Sequence, residues 1–502
     1  MIGNPRRRVL PCVAAISIAA CIIPNMPRIK IIATIGPASD TPEKIESLIK
    51  AGMNVARLNF SHGTHDYHAQ LITNIRSAAA RLKKPIAILQ DLQGPKIRVG
   101  EFPNGGITLV SGATFTITTR DVEGNAQIVS TTFRGLPWDL NPGDRILLDD
   151  GNIECLVTET TDTDVIVTVT NGGVLKSRKG INLPGIIVNV PALNEKDRAD
   201  LTFGLEHGVD YVAISFVQRA QDVIDVRRAI QKINPAKSNT PIIAKLEKPA
   251  ALENLEAILD ASEGVMVARG DMGVELSPQV VPSAQKRIIE AANAKGKIVI
   301  TATQMLESMV NNPRPTRAEA SDVANAIFDG TDVVMLSAET ASGQYPVESV
   351  KMMALIAEEA EIHEKDWGHF REMHDVTSVD AVAIARAARE LSRDRNVEAI
   401  AIFTRTGNSA RILSKERPSV PVLAFTPEPE TYPRLAMMWG VQPYLVPTAT
   451  SVEEMIMDVE QALINETGLK VGQQVVLIAG LPIGHMGPAN IVLLHTVGQY
   501  NL

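Results

Sequence analysis

Hydrophobic residues occur in short runs along this chain, and between residues 28 and 364 most of these runs are continuous rather than alternating. Continuous apolar runs of about four to eight residues are typical of parallel strands that are buried on both faces of a sheet. Eight such runs alternate with segments of helical periodicity. The predicted strands are Ile29–Ile35, Asn54–Phe60, Pro85–Leu92, Tyr211–Val217, Pro241–Glu247, Gly264–Ala268, Lys297–Thr303 and Asp332–Ser337.

A helical segment accompanies each predicted strand, and Thr41 is placed to cap the first helix. Eight β/α units predict an α/β protein built on a closed (β/α)8 TIM barrel, whose catalytic groups lie at the carboxyl ends of the strands. The predicted helices are Thr41–Ala51, Ala69–Leu82, Glu195–His207, Ala220–Ile233, Leu252–Ala261, Ser283–Ala294, Arg317–Phe328 and Val347–Glu364.

The third and fourth predicted strands are separated by the segment Gly94–Ala192, which is rich in Thr, Val and Gly and has little helical periodicity. Turn signals such as Asn171-Gly172-Gly173 separate alternating runs such as Asp164–Thr170, a pattern typical of antiparallel strands. The pattern predicts a β-barrel-like all-β domain inserted at the carboxyl face of the barrel. A domain in that position can act as a lid that excludes water from the chemistry.

The pattern changes again after about Trp367, where an Ala-rich helix, Ser378–Leu391, precedes further strands. These elements predict an open α/β domain, with strands Ala399–Phe403, Val420–Ala424, Gln442–Val446, Gln474–Ile478 and Asn490–His495. The predicted domains are a leader (1–25), the barrel (26–93 and 193–367), the inserted lid (94–192) and the C-terminal α/β domain (368–502).

The composition of the 502 residues limits the classes of partner. A hydrophobic content of 45% with 21% charged residues is ordinary for a soluble globular protein. A net charge of −8 argues against a nucleic-acid binder, which would carry a basic face, and no membrane partner is expected. The cysteines Cys12, Cys21 and Cys155 form neither a metal-ligand spacing nor a disulfide framework, which favours a reducing cytoplasm.

The N-terminus allows two interpretations. Arg6–Arg8 precede an apolar stretch, Val9–Ile23, and together they resemble the first two regions of a signal peptide. The stretch is bounded by Pro11 and Pro24, and it is shorter than the roughly 20 residues that a membrane-spanning helix needs. We favour a disordered leader or an over-extended start site at residues 1–25 over a working export signal.

The stretch Pro241–Asp271 carries the strongest chemical signal. Residues two apart on a strand point to the same side, so the side chains of Lys245 and Glu247 lie on the same side at the end of the fifth strand. The sixth strand ends just before Asp271, so a lysine and two carboxylates are expected at one end of the sheet. Two hard oxygen ligands with open positions for water and substrate suit Mg²⁺. The alternative is a structural ion pair between Lys245 and Glu247 with a surface turn at Asp271.

Other predicted strands also end in polar residues. Alternation places Arg57, Asn59 and Ser61 on one side of the second strand. In the predicted lid, the basic turn at Lys179 either closes over polyphosphate or is an ordinary solvated loop. A site with several cations, carboxylates and hydroxyls suits phosphoryl transfer, in which positioning and charge neutralisation do most of the catalysis. The remaining polar tips are Asp91, Lys96, Arg98, Thr303 and Ser337.

Long sequence strings in this chain resemble the pyruvate kinase family. They include IKIIATIGPAS (29–39), GMNVARLNFSHG (52–63), DLQGPKIR (91–98), KGINLPG (179–185), VMVARGDMGVEL (265–276), TATQMLESM (301–309) and MLSAETA (335–341). The resemblance covers residue 28 to the end in the family's order of barrel, inserted β domain, barrel and C-terminal α/β domain. It implies Mg²⁺-dependent phosphoryl transfer from phosphoenolpyruvate to ADP, giving pyruvate and ATP.

The resemblance also implies roles for particular residues. Glu247 and Asp271 would hold Mg²⁺, for which Mn²⁺ can substitute, and Lys245 would stabilise the transferred phosphoryl group and the enolate. The backbone at Gly270 and the Thr303 hydroxyl would bind the substrate carboxylate, and Thr303 and Ser337 would lie near the path of enolate protonation. Arg57 would face the phosphates. The implied nucleotide-binding residues are Asn59, Phe60, Ser61, His62, Arg98 and Lys179.

One departure from the family concerns the monovalent cation. Family members that need K⁺ hold it with side chains at positions matching Asn59, Ser61 and Asp91 and with the carbonyl at the position of Leu92. Here Lys96 stands where those members have glutamate, and Leu92 stands where they have threonine. The sequence therefore predicts that the Lys96 ammonium takes the place of the cation and that activity is largely independent of K⁺.

The loop Thr404–Arg411 joins a predicted strand to a helix and matches the family's phosphate-binding effector loop. Free backbone N–H groups at a helix N-terminus bind phosphate well, although an ordinary capped loop has the same composition. The later loop Gly480–His485 lacks the tryptophan and arginine of members that respond to fructose 1,6-bisphosphate, so a sugar monophosphate or AMP is equally expected. The candidate effector residues are Thr404, Arg405, Thr406, Gly407, Asn408 and Ser409.

The resemblance implies a homotetramer and a cytoplasmic enzyme. Two other functions stay open at this point. One is a different Mg²⁺-dependent barrel enzyme acting on an enolpyruvate, such as an aldolase or mutase. The other is a non-catalytic binding protein on the same scaffold.

Overall fold

The computed structural model describes residues 27–186, 188, 190–369, 377–483 and 487–499. The leader predicted at 1–25 lies outside these residues. The first 16 strands, in chain order, are β1 (Lys30–Thr34), β2 (Val55–Asn59), β3 (Ala87–Asp91), β4 (Gly106–Leu109), β5 (Thr114–Thr118), β6 (Ile128–Ser130), β7 (Arg145–Leu148), β8 (Ile153–Thr160), β9 (Asp164–Asn171), β10 (Gly173–Lys176), β11 (Ile181–Asn182), β12 (Tyr211–Ile214), β13 (Ile242–Leu246), β14 (Gly264–Ala268), β15 (Ile298–Ala302) and β16 (Val333–Leu336).

Eight parallel strands close into a barrel in the order β1-β16-β15-β14-β13-β12-β3-β2. The predicted TIM barrel is therefore confirmed, and each of the eight predicted strands is present within about three residues at either end. The strands are buried on both faces, with Ile32, Val55 and Met266 among the residues inside the barrel and Leu58 and Val265 among those under the helices. This burial explains why the strand sequences are continuously apolar.

Helices cover the outside of the barrel. Thr41 caps the first helix as predicted, because its hydroxyl accepts a hydrogen bond from the backbone N–H of Lys44. The helices through residue 367 are α1 (Pro42–Ala51), α2 (His65–Leu82), α3 (Leu136–Asp139), α4 (Glu195–Glu206), α5 (Ala220–Ile233), α6 (Pro249–Glu253), α7 (Leu255–Ala261), α8 (Arg269–Leu276), α9 (Val281–Ala294), α10 (Arg317–Phe328), α11 (Ala338–Ala341), α12 (Pro346–Ile362) and α13 (Glu364–Trp367).

One helix prediction was wrong. The segment predicted as a single helix, Leu252–Ala261, belongs to two short helices, α6 and α7, that meet at Asn254. The Asn254 side-chain amide donates to the backbone carbonyls of Ala250 and Gln218, each at 3.0 Å. A side chain that competes in this way for backbone groups favours a helix end over a helix interior.

The described residues of the segment predicted to be all-β, 94–192, contain eight strands, β4 to β11, and one short helix, α3. Its main sheet has six strands in the order β11-β7-β8-β9-β5-β6, and β10 pairs with β4 in a separate ribbon. Its core contains alternating inward residues such as Val165, Val167 and Val169 of β9. The boundaries 94–192 and the role of this segment as a lid stay predictions.

The C-terminal part contains a second parallel sheet. Its strands are β17 (Ala399–Phe403), β18 (Val422–Thr426), β19 (Val441–Leu445), β20 (Gln474–Ala479) and β21 (Ile491–Thr496), in the order β19-β18-β17-β20-β21 with β21 antiparallel. Its helices are α14 (Asp380–Arg395), α15 (Asn408–Lys415), α16 (Thr431–Arg434) and α17 (Val452–Glu466). Within the residues described, no helix is both long and apolar enough to cross a membrane.

Two buried lysines join the barrel to the C-terminal sheet domain. The Lys30 ammonium donates to the carbonyl of Val441 at 2.8 Å, and the Lys415 ammonium forms an ion pair with Asp332 and a hydrogen bond with Asn293. Burial lowers the pKa of each lysine to about 8, and nearby carboxylates offset only part of this effect. Both charges therefore oppose folding at neutral pH.

These two lysines are expected to contribute stability that increases as the pH rises above about 8. Each folded-state pKa lies below the unfolded value of roughly 10.4, so each lysine binds more protons in the unfolded chain in this window and its contribution to stability increases with pH. Up to about 3 kcal/mol per lysine is expected between pH 8 and pH 10.5. Urea unfolding across this range measures the slope. The variant Lys30→Met, which removes one titrating group, should show a smaller slope; an unchanged slope would contradict the assignment.

Candidate active site

The carboxyl end of β13 brings a lysine and a glutamate together. The Lys245 ammonium lies 3.1 Å from Oε1 of Glu247, as their spacing of two residues predicts. The same ammonium lies 3.4 Å from Oδ1 of Asp91 and donates to the Ser215 hydroxyl at 2.7 Å. The backbone N–H of Phe216 donates to Oε2 of Glu247 at 2.7 Å. Ser215 and Phe216, at the end of β12, were missed by the sequence analysis.

Burial and charge set the protonation of this cluster. Burial lowers the pKa of Lys245, but the carboxylates of Asp91 and Glu247 outweigh burial and raise the pKa above its usual value. Burial raises the pKa of Glu247, and the Lys245 charge offsets only part of this increase. For Asp91, the charges of Lys245 and Arg57 outweigh burial and lower the pKa. Lys245 is therefore a fixed positive charge at neutral pH.

Asp271 reaches the same rim from the neighbouring strand. It lies in the first turn of α8, directly after β14, and its charge contributes to the raised pKa values of both Lys245 and Glu247. The lysine and the two carboxylates therefore converge on one end of the barrel, as predicted. In the described part of the chain, no group of three or more His, Cys, Asp or Glu side chains is arranged to hold a metal. Two carboxylate ligands leave room for water and substrate, which is the arrangement that Mg²⁺ prefers.

The loop after β15 has an unusual backbone that presents a hydroxyl to this rim. Thr303 has φ +70° and Gln304 has φ +55°, a region that β-branched residues seldom adopt. The Thr303 hydroxyl accepts a hydrogen bond from the backbone N–H of Gly270 at 2.8 Å and donates to the carbonyl of Ala302. The Arg269 guanidinium bonds the Thr303 carbonyl at 2.7 Å and fixes the turn. Strain of this kind is concentrated at functional sites.

The eighth strand contributes Ser337, which is held by a buried glutamate. Oε2 of Glu339 accepts from the backbone N–H of Ser337 at 2.7 Å, and Oε1 accepts from that of Leu306 at 3.1 Å. Ser337, Thr303, Gly270 and Asp271 all line one cavity of about 910 Å³. A cavity of this volume at the carboxyl end of a barrel is the expected place for a small substrate.

The predicted phosphate-facing arginine is held at the ends of β1 to β3. Arg57 donates to Oδ2 of Asp91 at 2.7 Å and to the Thr34 hydroxyl at 2.9 Å. Asn59 Oδ1 accepts from the backbone N–H of Ser61 at 3.1 Å. Buried Oδ1 of Asp91 accepts no hydrogen bond among the described residues, although the Lys245 charge is nearby.

Lys96 does not lie where the sequence analysis placed it. Its ammonium is 3.1 Å from Oδ1 of Asp271 and 3.8 Å from Oδ1 of Asp150, and it forms no ion pair with Asp91 in the residues that are described. The predicted contact of this ammonium with the cation-binding side chains is therefore wrong for this conformation. Lys96 is a long side chain on the connection to the inserted segment, and the nearer carboxylate of Asp271 attracts it.

The basic residues Lys179 and Arg98 of the inserted segment contact other residues of that segment and do not line the cavity. The Lys179 ammonium pairs with Asp149 at 2.6 Å, and this hydrogen bond raises the pKa of Lys179. The Arg98 guanidinium donates to the carbonyl of Arg178 at 3.0 Å. Asp150 lines the 910 Å³ cavity from the same segment. Phe60 stacks on His68, whose ring contacts the carbonyl of His62. The assignment of Arg98, Lys179, Phe60 and His62 to nucleotide binding stays a prediction.

A buried ion pair next to the site, between Lys248 and Glu275, was not predicted from the sequence. The Lys248 ammonium lies 2.6 Å from Oε1 of Glu275, and the Asn182 side chain in β11 donates to the same oxygen at 2.9 Å. Glu275 lies one turn after Asp271 in α8, and Lys248 directly follows Glu247. This cluster connects the inserted segment to both strand ends that carry the carboxylates.

The candidate effector loop forms a cavity of its own in the C-terminal domain. The cavity has a volume of about 310 Å³, and Thr404, Arg405, Thr406, Asn408 and Ser409 line it. The backbone N–H of Gly407 donates to the Thr404 hydroxyl at 3.0 Å, which shapes the turn into α15. The Arg405 guanidinium binds Glu428 at 2.6 Å.

Comparison with known proteins gives one consistent result. The family model described as "Pyruvate kinase, barrel domain" matches residues 26–350, and "Pyruvate kinase, alpha/beta domain" matches residues 382–495. A pyruvate kinase from Geobacillus stearothermophilus is 45% identical over 94% of this chain and 80% of its own length. Pyruvate kinase 2 from a Synechocystis species is 47% identical over 94% of this chain and 79% of its own length.

A solved structure agrees with these matches. The crystal structure of a pyruvate kinase from Cryptosporidium parvum superposes with a TM-score of 0.85 at 36% identity, covering 94% of this chain and 96% of its own. The matched regions include Lys245, Glu247 and Asp271 and the C-terminal sheet next to the candidate effector loop. The chain therefore belongs to the pyruvate kinase family of phosphotransferases.

Proposed function

We propose that this chain transfers a phosphoryl group from phosphoenolpyruvate to ADP in an Mg²⁺-dependent reaction. The phosphorus–oxygen bond to the enol breaks, a bond to a terminal oxygen of ADP forms, and protonation of the enolate carbon gives pyruvate. The observation that carries the proposal is the convergence of Lys245 with Glu247 and Asp271 at the barrel rim, within a family of phosphotransferases. A positive charge beside a divalent-ion site suits a reaction that moves a highly charged PO₃ unit.

Each side chain of the site has a role that follows from its position. Glu247 and Asp271 would hold Mg²⁺ (or Mn²⁺), which would supply positive charge to neutralise the phosphoryl oxygens. Lys245, already protonated, stabilises negative charge on the phosphoryl group and then on the enolate oxygen, so no proton transfer from it is needed. The Gly270 backbone and the Thr303 hydroxyl orient the substrate carboxylate.

Arg57, fixed by Asp91 and Thr34, would present a rigid guanidinium fork to the phosphoryl group of the substrate. Arg98 and Lys179 would approach from the inserted segment, and Asn59, Phe60, Ser61 and His62 would border the nucleotide. Thr303 and Ser337 line the cavity near the enolate carbon, where a water held between them could deliver the proton.

The test is a coupled assay that follows pyruvate release from phosphoenolpyruvate. Release that requires both ADP and Mg²⁺ supports the proposal. Release without ADP would favour another barrel enzyme acting on an enolpyruvate. The absence of any turnover by the folded protein would favour a non-catalytic scaffold.

Activity is expected to be nearly the same with and without K⁺. The Lys96 ammonium brings a positive charge to this rim, 3.1 Å from Oδ1 of Asp271, at a position where K⁺-requiring members of the family have a glutamate. Rates in a tetramethylammonium buffer with and without K⁺ measure this, and Lys96→Glu should create a K⁺ requirement of tenfold or more. Strict K⁺ dependence of the unmodified enzyme would contradict the proposed independence from K⁺.

Regulation by a phosphorylated effector at the loop 404–409 is part of the proposal. The cavity of the loop and its position at the start of α15 support an anion there. The identity of the effector is tested by measuring rates with a panel of sugar monophosphates, fructose 1,6-bisphosphate and AMP, with Thr406→Ala as the control variant.

We also infer that the enzyme works in the cytoplasm as a homotetramer. The apolar residues Leu355, Ile362 and Trp367 on α12 and α13 are exposed, and β21 is an open sheet edge, so both offer surfaces that a second copy could cover. Light scattering of the purified protein measures the mass directly.

A further inference from the structure

A third cavity, lined by charged and apolar residues, lies at the end of the barrel opposite the candidate active site. Its volume is about 390 Å³, and it is bounded by the end of α2, the segments that enter β3, β12 and β13, and the segment 429–434 of the C-terminal domain. We call it the junction cavity. None of its lining residues belongs to the candidate active site or to the effector loop.

The junction cavity has an excess of positive charge. Five of its lining residues are cationic and two are acidic: Arg76, Lys83, Lys84, Lys237 and Arg434 against Asp210 and Glu430. Both carboxylates are already neutralised. Arg76 pairs with Asp210 at 2.8 Å, and Lys237 pairs with Glu430 at 2.5 Å.

Three of the five cationic side chains have little or no neutralising contact with a carboxylate. In the part of the chain that is described, neither Lys83 nor Lys84 forms an ion pair or hydrogen bond through its side chain. Arg434 reaches Glu430 only at 3.9 Å, and its buried Nε has no hydrogen-bond partner. A buried N–H of a charged group without an acceptor is costly, so an anionic ligand at this place would satisfy it.

We propose that the junction cavity binds a small organic phosphate. Two ammonium groups act as point charges for a phosphate dianion, and a guanidinium offers directed donors. The volume exceeds what an inorganic phosphate fills and falls within the range of small-molecule sites. Pro85, Pro433 and the ring of Tyr432 form apolar walls that would contact the organic part of the ligand.

Such a ligand would hold the barrel and the C-terminal domain together. Lys83 and Lys84 belong to the barrel, whereas Arg434 belongs to the C-terminal domain and its carbonyl accepts a hydrogen bond from the Tyr211 hydroxyl of β12 at 2.8 Å. The cavity is also close to the start of β3, the strand that carries Asp91 at its other end. Occupancy would therefore stabilise the junction at the base of two strands that lead to the candidate active site.

The test is equilibrium dialysis of the full-length protein with a radiolabelled pentose phosphate. The variant Lys83→Glu/Lys84→Glu should lose one bound ligand per chain, with affinity for that site weakened by roughly a hundredfold or more. The control Lys44→Glu/Lys470→Glu replaces two exposed lysines and changes the net charge by the same amount. It should retain both the number of ligands bound per chain and the affinity for them.

A second control separates this site from the effector loop. Thr406→Ala/Ser409→Ala should leave the binding at the junction cavity intact, because those residues line a different cavity. Loss of all binding in the loop variant, or unchanged binding in Lys83→Glu/Lys84→Glu, would overturn the proposal. The proposal does not rest on the catalytic function, since ligand binding is measured and turnover is not.

Discussion

Replacing Lys245 with methionine is expected to lower kcat by roughly a thousandfold or more, the size of effect seen when one preorganised electrostatic contact to a transition state is removed. The ammonium of Lys245 lies between Glu247 and Asp91 and is protonated at neutral pH. Methionine keeps most of the side-chain volume but removes the charge that faces the phosphoryl group and the enolate. The coupled pyruvate assay measures kcat and KM.

Loss of activity must be separated from loss of the fold. When the ammonium is removed, Asp91 keeps Arg57 at 2.7 Å and Glu247 keeps the backbone N–H of Phe216, so neither carboxylate is left without a partner. We therefore expect a native circular-dichroism spectrum and cooperative thermal unfolding. The variant Lys245→Arg, which restores the charge with a different shape, should recover part of the rate. Activity of Lys245→Met within tenfold of the unmodified enzyme would show that this residue is not at the reacting centre.

Much of this site could be predicted because it depends on local sequence. The period of two along a strand places Lys245 and Glu247 on one side, and the carboxyl ends of parallel strands meet at one rim, which brings Asp271 close. The continuous apolar runs identified all eight barrel strands because the closed sheet is covered on both faces.

The features that were missed depend on distant parts of the chain. The left-handed backbone of Thr303 and Phe216 has no local sequence signal, since neither residue favours a positive φ and the surrounding packing imposes it. The position of Lys96 was wrong because a long side chain points to whichever carboxylate the tertiary fold brings near. The pair Lys248–Glu275 was missed because its partners come from different β/α units.

That missed pair allows metal binding to be separated from stability. Glu247 and Glu275 are both buried carboxylates, and each contacts a lysine, at 3.1 Å and 2.6 Å respectively. They differ in their surroundings. Asp271 acts electrostatically on Glu247 across the candidate metal site, whereas Glu275 is enclosed by Lys248 and by Asn182 of the inserted segment.

Glu247→Gln is therefore expected to weaken Mg²⁺ binding by about a hundredfold or more, because a neutral amide replaces one of the two anionic ligands. Its stability should change little, since Lys245 retains Asp91 as a partner. Glu275→Gln should behave in the opposite way. It leaves the Lys248 ammonium buried without a counter-charge, which costs about 3–5 kcal/mol of unfolding free energy, while the Mg²⁺ dependence of the rate stays near normal. Mg²⁺ titrations of the rate and urea unfolding of both variants measure the two effects. If Glu275→Gln lost Mg²⁺ affinity and Glu247→Gln kept it, the metal would have to be assigned to the other carboxylate.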